Sequence, residues 1–188
     1  MIGNTRVKYM DIQFAILGLL NRQSLSGYDL KKIIADSASL YWSGNNNQIY
    51  STLIQLNQEG LVTYKVVSQI EVPSKKVYSI TQLGFDELKK WLISPIDPPE
   101  LHSTFLVRLT WADLLNKEEL NFLLDEYEEE VRVQSLMIKE KIRRGTENED
   151  QNSQAVRFSR LVSQNLISFY ENELSWLRSL RQNLESPG

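Results

Sequence analysis

Residues 42–60, WSGNNNQIYSTLIQLNQEG, decide how the rest of the chain is read. At about 3.6 residues per turn, Ile49, Leu53 and Leu56 fall on one face, at spacings of four and three. Asn45, or Asn46 in its place, can cap the first turn by accepting a free backbone N–H. Gly60 can close the helix, because glycine takes the left-handed conformation without strain. The opposite face carries Asn47, Gln48, Ser51, Thr52 and Gln55. Amides and hydroxyls both donate and accept, which suits them to base edges in a major groove. Taken alone, the segment reads as a surface helix with a polar outside. Its neighbours reverse that reading.

Upstream, MDIQFAILGLLN (10–21) predicts an apolar helix with Ile12, Ile16, Leu19 and Leu20 available for a core. QSLSG (23–27) breaks it, and Ser26 is placed to cap the next helix, GYDLKKIIADSA. Leu30, Ile33 and Ile34 point inward there, with Lys31 and Lys32 outward. Three short helices whose third is amide-faced follow helix-turn-helix order.

Downstream, β-branched and aromatic residues predict two antiparallel strands, about 61–69 and 75–80, with Pro73 held in the loop outside the sheet. Such a hairpin after a recognition helix is a wing. Lys75 and Lys76 then stand at its tip with Lys65 on the partner strand, placed to meet phosphates. The plainer reading is a strand edge guarded by lysines. Thr81 caps a further helix with Phe85, Leu88, Trp91 and Leu92 toward the core. Helix-helix-helix-hairpin is the winged-helix plan.

PIDPP (95–99) is the clearest punctuation in the chain and divides it into residues 1–94 and 95–188. Beyond it, residues 102–115 predict a short helix carrying Phe105, Leu106, Leu109 and Trp111. Asn116 starts a long helix to about Arg144, with Leu120, Leu124, Tyr127, Val131, Gln134 and Ile138 near heptad spacing. A last helix, about 154–184, shows Phe158, Val162, Leu166, Phe169, Leu177, Leu180 and Leu184 on one broad face. Two helices this apolar cannot satisfy each other alone, and a second copy of the chain is the simplest cover. The fold class expected is mostly α with a small β-hairpin: a winged helix followed by an all-α dimerisation region.

The totals fit. At 188 residues the chain can bury roughly 70% of its unfolded surface. It has no cysteine, its start MIGNTRVKYM lacks a signal-peptide core, and no apolar run reaches membrane-span length, which together predict a cytoplasmic protein with no membrane partner. Net charge is −3, divided as +3 for residues 1–94 and −6 for 95–188. A mildly basic head on an acidic body suits a DNA-binding unit joined to one that does not bind DNA.

At this point the sequence resembles the PadR family of bacterial transcriptional regulators, in its longer version with a helical C-terminal dimerisation region. The residues that carry the likeness are AILGLL (15–20), SGYDL (26–30), Trp42, QIYSTLIQLNQEGLV (48–62), KVYSITQLGFDELKKWL (76–92) and Phe105–Arg108. The resemblance covers the first half almost end to end and the second half mainly by architecture. It implies that Gln48 and Tyr50, at the start of the recognition helix, contact DNA. Asn45, Asn46 and Asn47 stand where relatives often carry a serine cap and a basic residue.

Catalytic readings find little support. His102 is the only histidine and no motif surrounds it, and the usual zinc ligand sets are absent. No glycine-rich phosphate loop or nucleotide fingerprint exists, so no cofactor is expected. Asp125, Glu126, Glu128, Glu129 and Glu130 point in successive directions around a helix and read as a solvated face. The four tryptophans, Trp42, Trp91, Trp111 and Trp176, read first as core. Some relatives bind phenolic acids or flat aromatic drugs between the winged helix and the dimerisation helices. The resemblance therefore offers Trp111 and Trp176 as walls of a pocket for a small aromatic effector.

The function expected is a non-enzymatic homodimeric repressor that binds double-stranded DNA at an inverted repeat, with half-sites about 34–36 Å apart or a multiple of that. The residues assigned to DNA are Asn45, Asn46, Asn47, Gln48, Tyr50, Ser51, Lys65, Lys75 and Lys76. The rival is a winged-helix interaction or assembly module that never touches DNA, since one fold serves both uses.

Overall fold

Gly60 adopts φ 73° and closes α3 (Asn47–Gln58) in the manner its sequence predicts. Its N–H donates to the Asn57 carbonyl (3.1 Å) and the Leu61 N–H to the Leu56 carbonyl (2.9 Å), a Schellman motif with Leu56 and Leu61 both buried beside it. The structure is a computed structural model, and it describes residues 4–37, 40, 47–69, 72–96, 98, 103–145 and 153–185. Two compact units emerge, Met1–Asp97 and Pro98–Gly188.

In the first unit, α1 (Asn4–Arg22) starts well before the helix read from the apolar run alone. Its Ile12, Ile16, Leu17 and Leu20 join Leu30 and Ile34 of α2 (Gly27–Asp36) and Ile49, Leu53 and Leu56 of α3 in one core. Between α1 and α2 lies β1 (Leu25–Ser26), a two-residue strand that sequence reading missed. It turns the expected hairpin into a three-stranded antiparallel sheet of order β1-β3-β2, with β2 (Val62–Gln69) and β3 (Val72–Ile80). Pro73 lies within β3, not outside the sheet. Pairing steps from Val67↔Lys75 to Gln69↔Val72, so β3 carries one residue more than β2 there. A bulge skips a ladder bond, and a residue without an N–H is tolerated at such a site.

Ser26 caps α2 with a complete capping box. Its hydroxyl accepts from the Asp29 N–H (3.2 Å) and donates to Asp29 Oδ2 (2.6 Å), and the Ser26 N–H donates to the same oxygen (3.1 Å). The Ser26 side chain, then its backbone N–H, hold the Asp29 carboxyl below its ordinary range, with Lys75 and Lys32 adding to the effect. Ser26→Ala should therefore cost about 1 kcal/mol. Because the folded carboxyl is the more acidic one, this advantage is full above the ordinary carboxylate range and fades as pH falls through the depressed one. Urea melts of both proteins across that range check it. Equal stabilities at neutral pH would mean the box contributes nothing.

α4 (Gln82–Leu92) is capped by Thr81, whose hydroxyl accepts from the Gly84 N–H (3.1 Å). Its inward line is Gly84 and Leu88, with Trp91 stacked on Phe14 at 4.5 Å. Phe85 and Leu92, expected in the core, are exposed, and Trp91, expected there too, remains 36% exposed despite that stack. Gly84 sits so close to the Leu61 carbonyl that the helix is rotated to put this line inward, which turns residues one step away toward solvent.

The second unit holds α5 (Thr104–Thr110), a 3₁₀ turn (Ala112–Leu114), α6 (Lys117–Gly145) and α7 (Gln154–Glu185). α5 stops at Thr110, so Trp111 leaves the expected helix and is 65% exposed instead of packed. Asn116 and Glu119 form the capping box of α6, each side chain accepting from the other's N–H at 3.0 Å. Phe105, Leu124 and Leu177 centre a small core among α5, α6 and α7. The acidic run is not wholly solvated: Arg181 of α7 bridges Asp125 (2.7 Å) and Glu128 (3.2 Å). Among the described residues, no helix is long and apolar enough to cross a membrane.

Candidate nucleic-acid interface and aromatic pocket

The first turns of α3 present Asn47, Tyr50 and Ser51 to solvent, with Gln48 half-buried. Asn45, Asn46 and Trp42 lie outside the described residues. Thr52 departs from the expected polar face. It is buried, and its hydroxyl donates to the Gln48 carbonyl at 2.7 Å. Thr52 lies only about 60° around the helix from Ile49, on the core side, and Ile54 takes an outward position in its stead. Further along, the Gln55 amide donates to Glu59 (2.8 Å). Outward amides and hydroxyls thus concentrate at Asn47–Ser51, the end of a recognition helix that meets base edges.

The wing divides its lysines. Opposed residues share a face, so Lys65 and Lys75 belong to the side carrying Val67 and Val77. Lys76 belongs to the other side, with its ammonium 4.3 Å above the Tyr64 ring. Lys75 and Lys76 are therefore within β3, not at the wing tip, because the strand starts three residues earlier than the sequence reading placed it.

Around the first turn of α2 the chain brings in two positions distant in sequence, Tyr50 and Lys75. The Tyr50 ring packs on Gly27 so closely that a Cβ there would lie 2.6 Å from ring atom Cε1, and the residue stays 44% exposed. This packing places the ring at the start of α2. Lys75 and Lys32 both act electrostatically on Asp29 in the same turn. The Asp29 carboxylate stands in the same turn, so the two lysines offset one negative charge there while Tyr50 adds an exposed phenol. Lys32 is three residues from Asp29 on the same helix, whereas Lys75 reaches this turn only through the fold.

In the second unit, Trp176 and Trp111 line two different cavities, of about 920 and 800 Å³. In the larger, Phe105 stacks on Tyr127 with ring centres 3.6 Å apart and planes 5° apart. Trp176 stands edge-on to Phe105 at 6.1 Å. The Tyr127 hydroxyl donates to Glu173 at 2.8 Å. Burial, followed by that hydrogen bond, pushes the phenol up to about 12, so Tyr127 remains a neutral donor at physiological pH. Glu126 and Glu130 complete an acidic rim that no sequence motif announced. They lie one helical turn apart on α6, and Glu173 comes from α7. Among the described residues no cluster of His, Cys, Asp and Glu is arranged to hold a metal ion.

Residues 16–90 match the family model described as the transcriptional regulator PadR-like family, and residues 101–185 match that of the virulence activator alpha C-terminus. The negative transcriptional regulator PadR of Bacillus subtilis is 34% identical over 114 residues, 60% of this chain and 62% of that one. A relative from Mycobacterium tuberculosis is 36% identical over 47% of both chains. The aligned stretches thus span less than two thirds of either relative. In structure, this chain is similar to Bacillus subtilis PadR in complex with operator DNA, with TM-score 0.78 and 27% identity over 90% of this chain and 96% of that one. The same protein in complex with p-coumaric acid gives TM-score 0.78 at 25% identity, over 94% and 99% of the two chains. The Vibrio cholerae virulence activator AphA gives 0.68 at 25%, over 92% and 96%.

Proposed function

Since this chain belongs to the PadR-like transcriptional regulator family, we propose that it is a homodimeric repressor, acting in the cytoplasm on an inverted-repeat operator. Residues 1–94 serve as the reading head and 95–188 as the dimerisation region, and a small aromatic ligand in the second unit releases the DNA. The observation that carries this reading is the start of α3, where Asn47, Tyr50 and Ser51 are exposed beside half-buried Gln48, with the Tyr50 ring seated on Gly27. Phosphate contacts position a protein on the duplex, and side chains on base edges specify sequence. This arrangement separates the two roles. Tyr50 and Lys75, with Lys65 on the same wing face, hold phosphates. Asn47, Gln48 and Ser51 lie where bases are read.

The test uses duplex from upstream of the protein's own reading frame, a scrambled duplex, and salt titrations of two variants. Gln48→Ala should cost about 1–3 kcal/mol on the operator and much less on scrambled DNA, because an amide can bond adenine through two atoms at once. Lys75→Ala should weaken both duplexes alike and lower the salt slope by about one. Equal losses for Gln48→Ala on the two duplexes would remove it from base reading. No binding to any upstream duplex would favour the interaction-module reading.

A further inference from the structure

We propose that Ile54 reads the C5-methyl group of thymine in the major groove and selects thymine at the base it faces. The inference rests on the DNA-binding reading above and deepens it, naming the base chemistry that one face of α3 recognises.

Ile54 is 58% exposed on a helix whose other aliphatic side chains, Ile49, Leu53 and Leu56, are buried. It stands about 160° around the axis from Leu56, directed away from the core. Isolated exposed isoleucines are common on protein surfaces. This one has a place in a row. Asn47, Ser51 and Ile54 follow one another at spacings of four and three, all three exposed. That is how a helix lying in the groove presents one face to successive bases.

The chemistry of the row narrows its partner. The Ser51 hydroxyl donates to the Gln48 carbonyl at 3.0 Å, which leaves its lone pairs to accept from a base. The Gln55 amide, next to Ile54 in the chain, donates along the helix to Glu59 at 2.8 Å. Ile54 itself offers neither donor nor acceptor. On the major-groove edges of the four bases, the thymine methyl is the one apolar group. Against adenine, guanine or cytosine, an isoleucine would strip water from a donor or acceptor and return no hydrogen bond. Against thymine it packs methyl on methyl. Branching at Cβ holds Ile54 largely in one rotamer on a helix, so the contact costs little side-chain freedom.

The test is a binding titration with duplex from upstream of the protein's own reading frame, made once with thymine and once with uracil at every thymine position. Uracil keeps the pairing and the O4 acceptor and lacks only the methyl. The unaltered protein should bind the uracil duplex about fourfold more weakly for one methyl contact, and about fifteenfold for the two contacts of a dimer. Ile54→Ala should bind both duplexes equally, at about the affinity that the unaltered protein has for uracil. Ile54→Val, shorter by one carbon, should fall between. Gln48→Ala should keep the full thymine-to-uracil ratio, because its amide bonds polar edges. A change that uracil makes in duplex stiffness acts on every variant alike, so comparison with Ile54→Ala removes it. The side chain is exposed, so Ile54→Ala should melt at the unaltered midpoint, and a lowered midpoint would assign Ile54 to the core instead. A thymine-to-uracil ratio in Ile54→Ala as large as in the unaltered protein overturns the proposal, as does an unaltered protein indifferent to the exchange. In either case a selective loss of operator affinity in Gln48→Ala leaves the DNA-binding reading standing. No binding to any upstream duplex removes both.

Discussion

Gly84→Ala should lower the melting midpoint of the winged-helix unit by about 10 °C or more. A Cβ at this position would run into the Leu61 carbonyl oxygen and lie 2.9 Å from Ile80 Cγ1. Neither neighbour can step aside. The Leu61 carbonyl accepts from the Thr81 N–H at 3.0 Å, and Ile80 lies at the base of β3, paired with Val62. Making room means lifting the first turn of α4, which also strips the Thr81 cap and loosens Leu88 from the core. The expected cost is about 3 kcal/mol, at the upper end of overpacking. Gly60 gives the contrast. Its only neighbour within reach is Leu83 Cδ2 at 4.0 Å, so Gly60→Ala meets no clash and suffers only the left-handed backbone, about 1–2 kcal/mol. Thermal melts of both variants followed at Trp91 would separate the two. An unchanged midpoint for Gly84→Ala would mean that α4 does not rest on that carbonyl.

That pair of glycines shows which features a sequence discloses. Gly60 was legible because a helix end is local: a polar start, an apolar stripe at Ile49, Leu53 and Leu56, and a glycine at the right distance. Ser26, Thr81 and Asn116 were legible for the same reason, since a cap involves only residues three apart. Gly84 was silent, because its role depends on a carbonyl more than twenty positions away. The same holds for β1, whose two residues have no periodicity and exist as a strand only through their pairing with Val77 and Tyr78.

The candidate sites divide in the same way. The start of α3 could be read from residue types alone. The separation of Lys75 from Lys76 could not, because it follows from where β3 begins, and that depends on a bulge accommodating Pro73. Trp111 reads as core because its segment has the pattern of one helix, yet the chain breaks there into a 3₁₀ turn. The acidic rim of the aromatic cavity draws on α6 and α7, more than forty residues apart, and three glutamates among seventeen carboxylates in residues 95–188 carry no signal until the helices pair.

The largest effect on DNA binding should come from residues that touch neither DNA nor ligand. On α7, Phe158 is 59% and Val162 45% exposed, one turn apart on a single face. On α6, Leu136 and Met137 are likewise exposed. Exposed rings and branched chains repeating along two long helices leave a single chain with an uncovered apolar surface, and a second copy would bury it. Two linked heads bind an inverted repeat with the second contact made at high effective concentration, which can raise affinity about 10²–10⁴-fold without any new contact. Phe158→Glu with Val162→Glu should therefore turn a dimer into a monomer at micromolar concentration and reduce operator affinity by that factor. Affinity for an isolated half-site should stay unchanged, because the reading head is untouched. Both side chains are already exposed within the chain, so the substitutions alone should not unfold the second unit, and circular dichroism would verify that. Sedimentation of the unaltered protein decides the premise: a monomer at micromolar concentration would place the apolar faces of α6 and α7 outside any self-association, and the two-headed grip on DNA would fall with them.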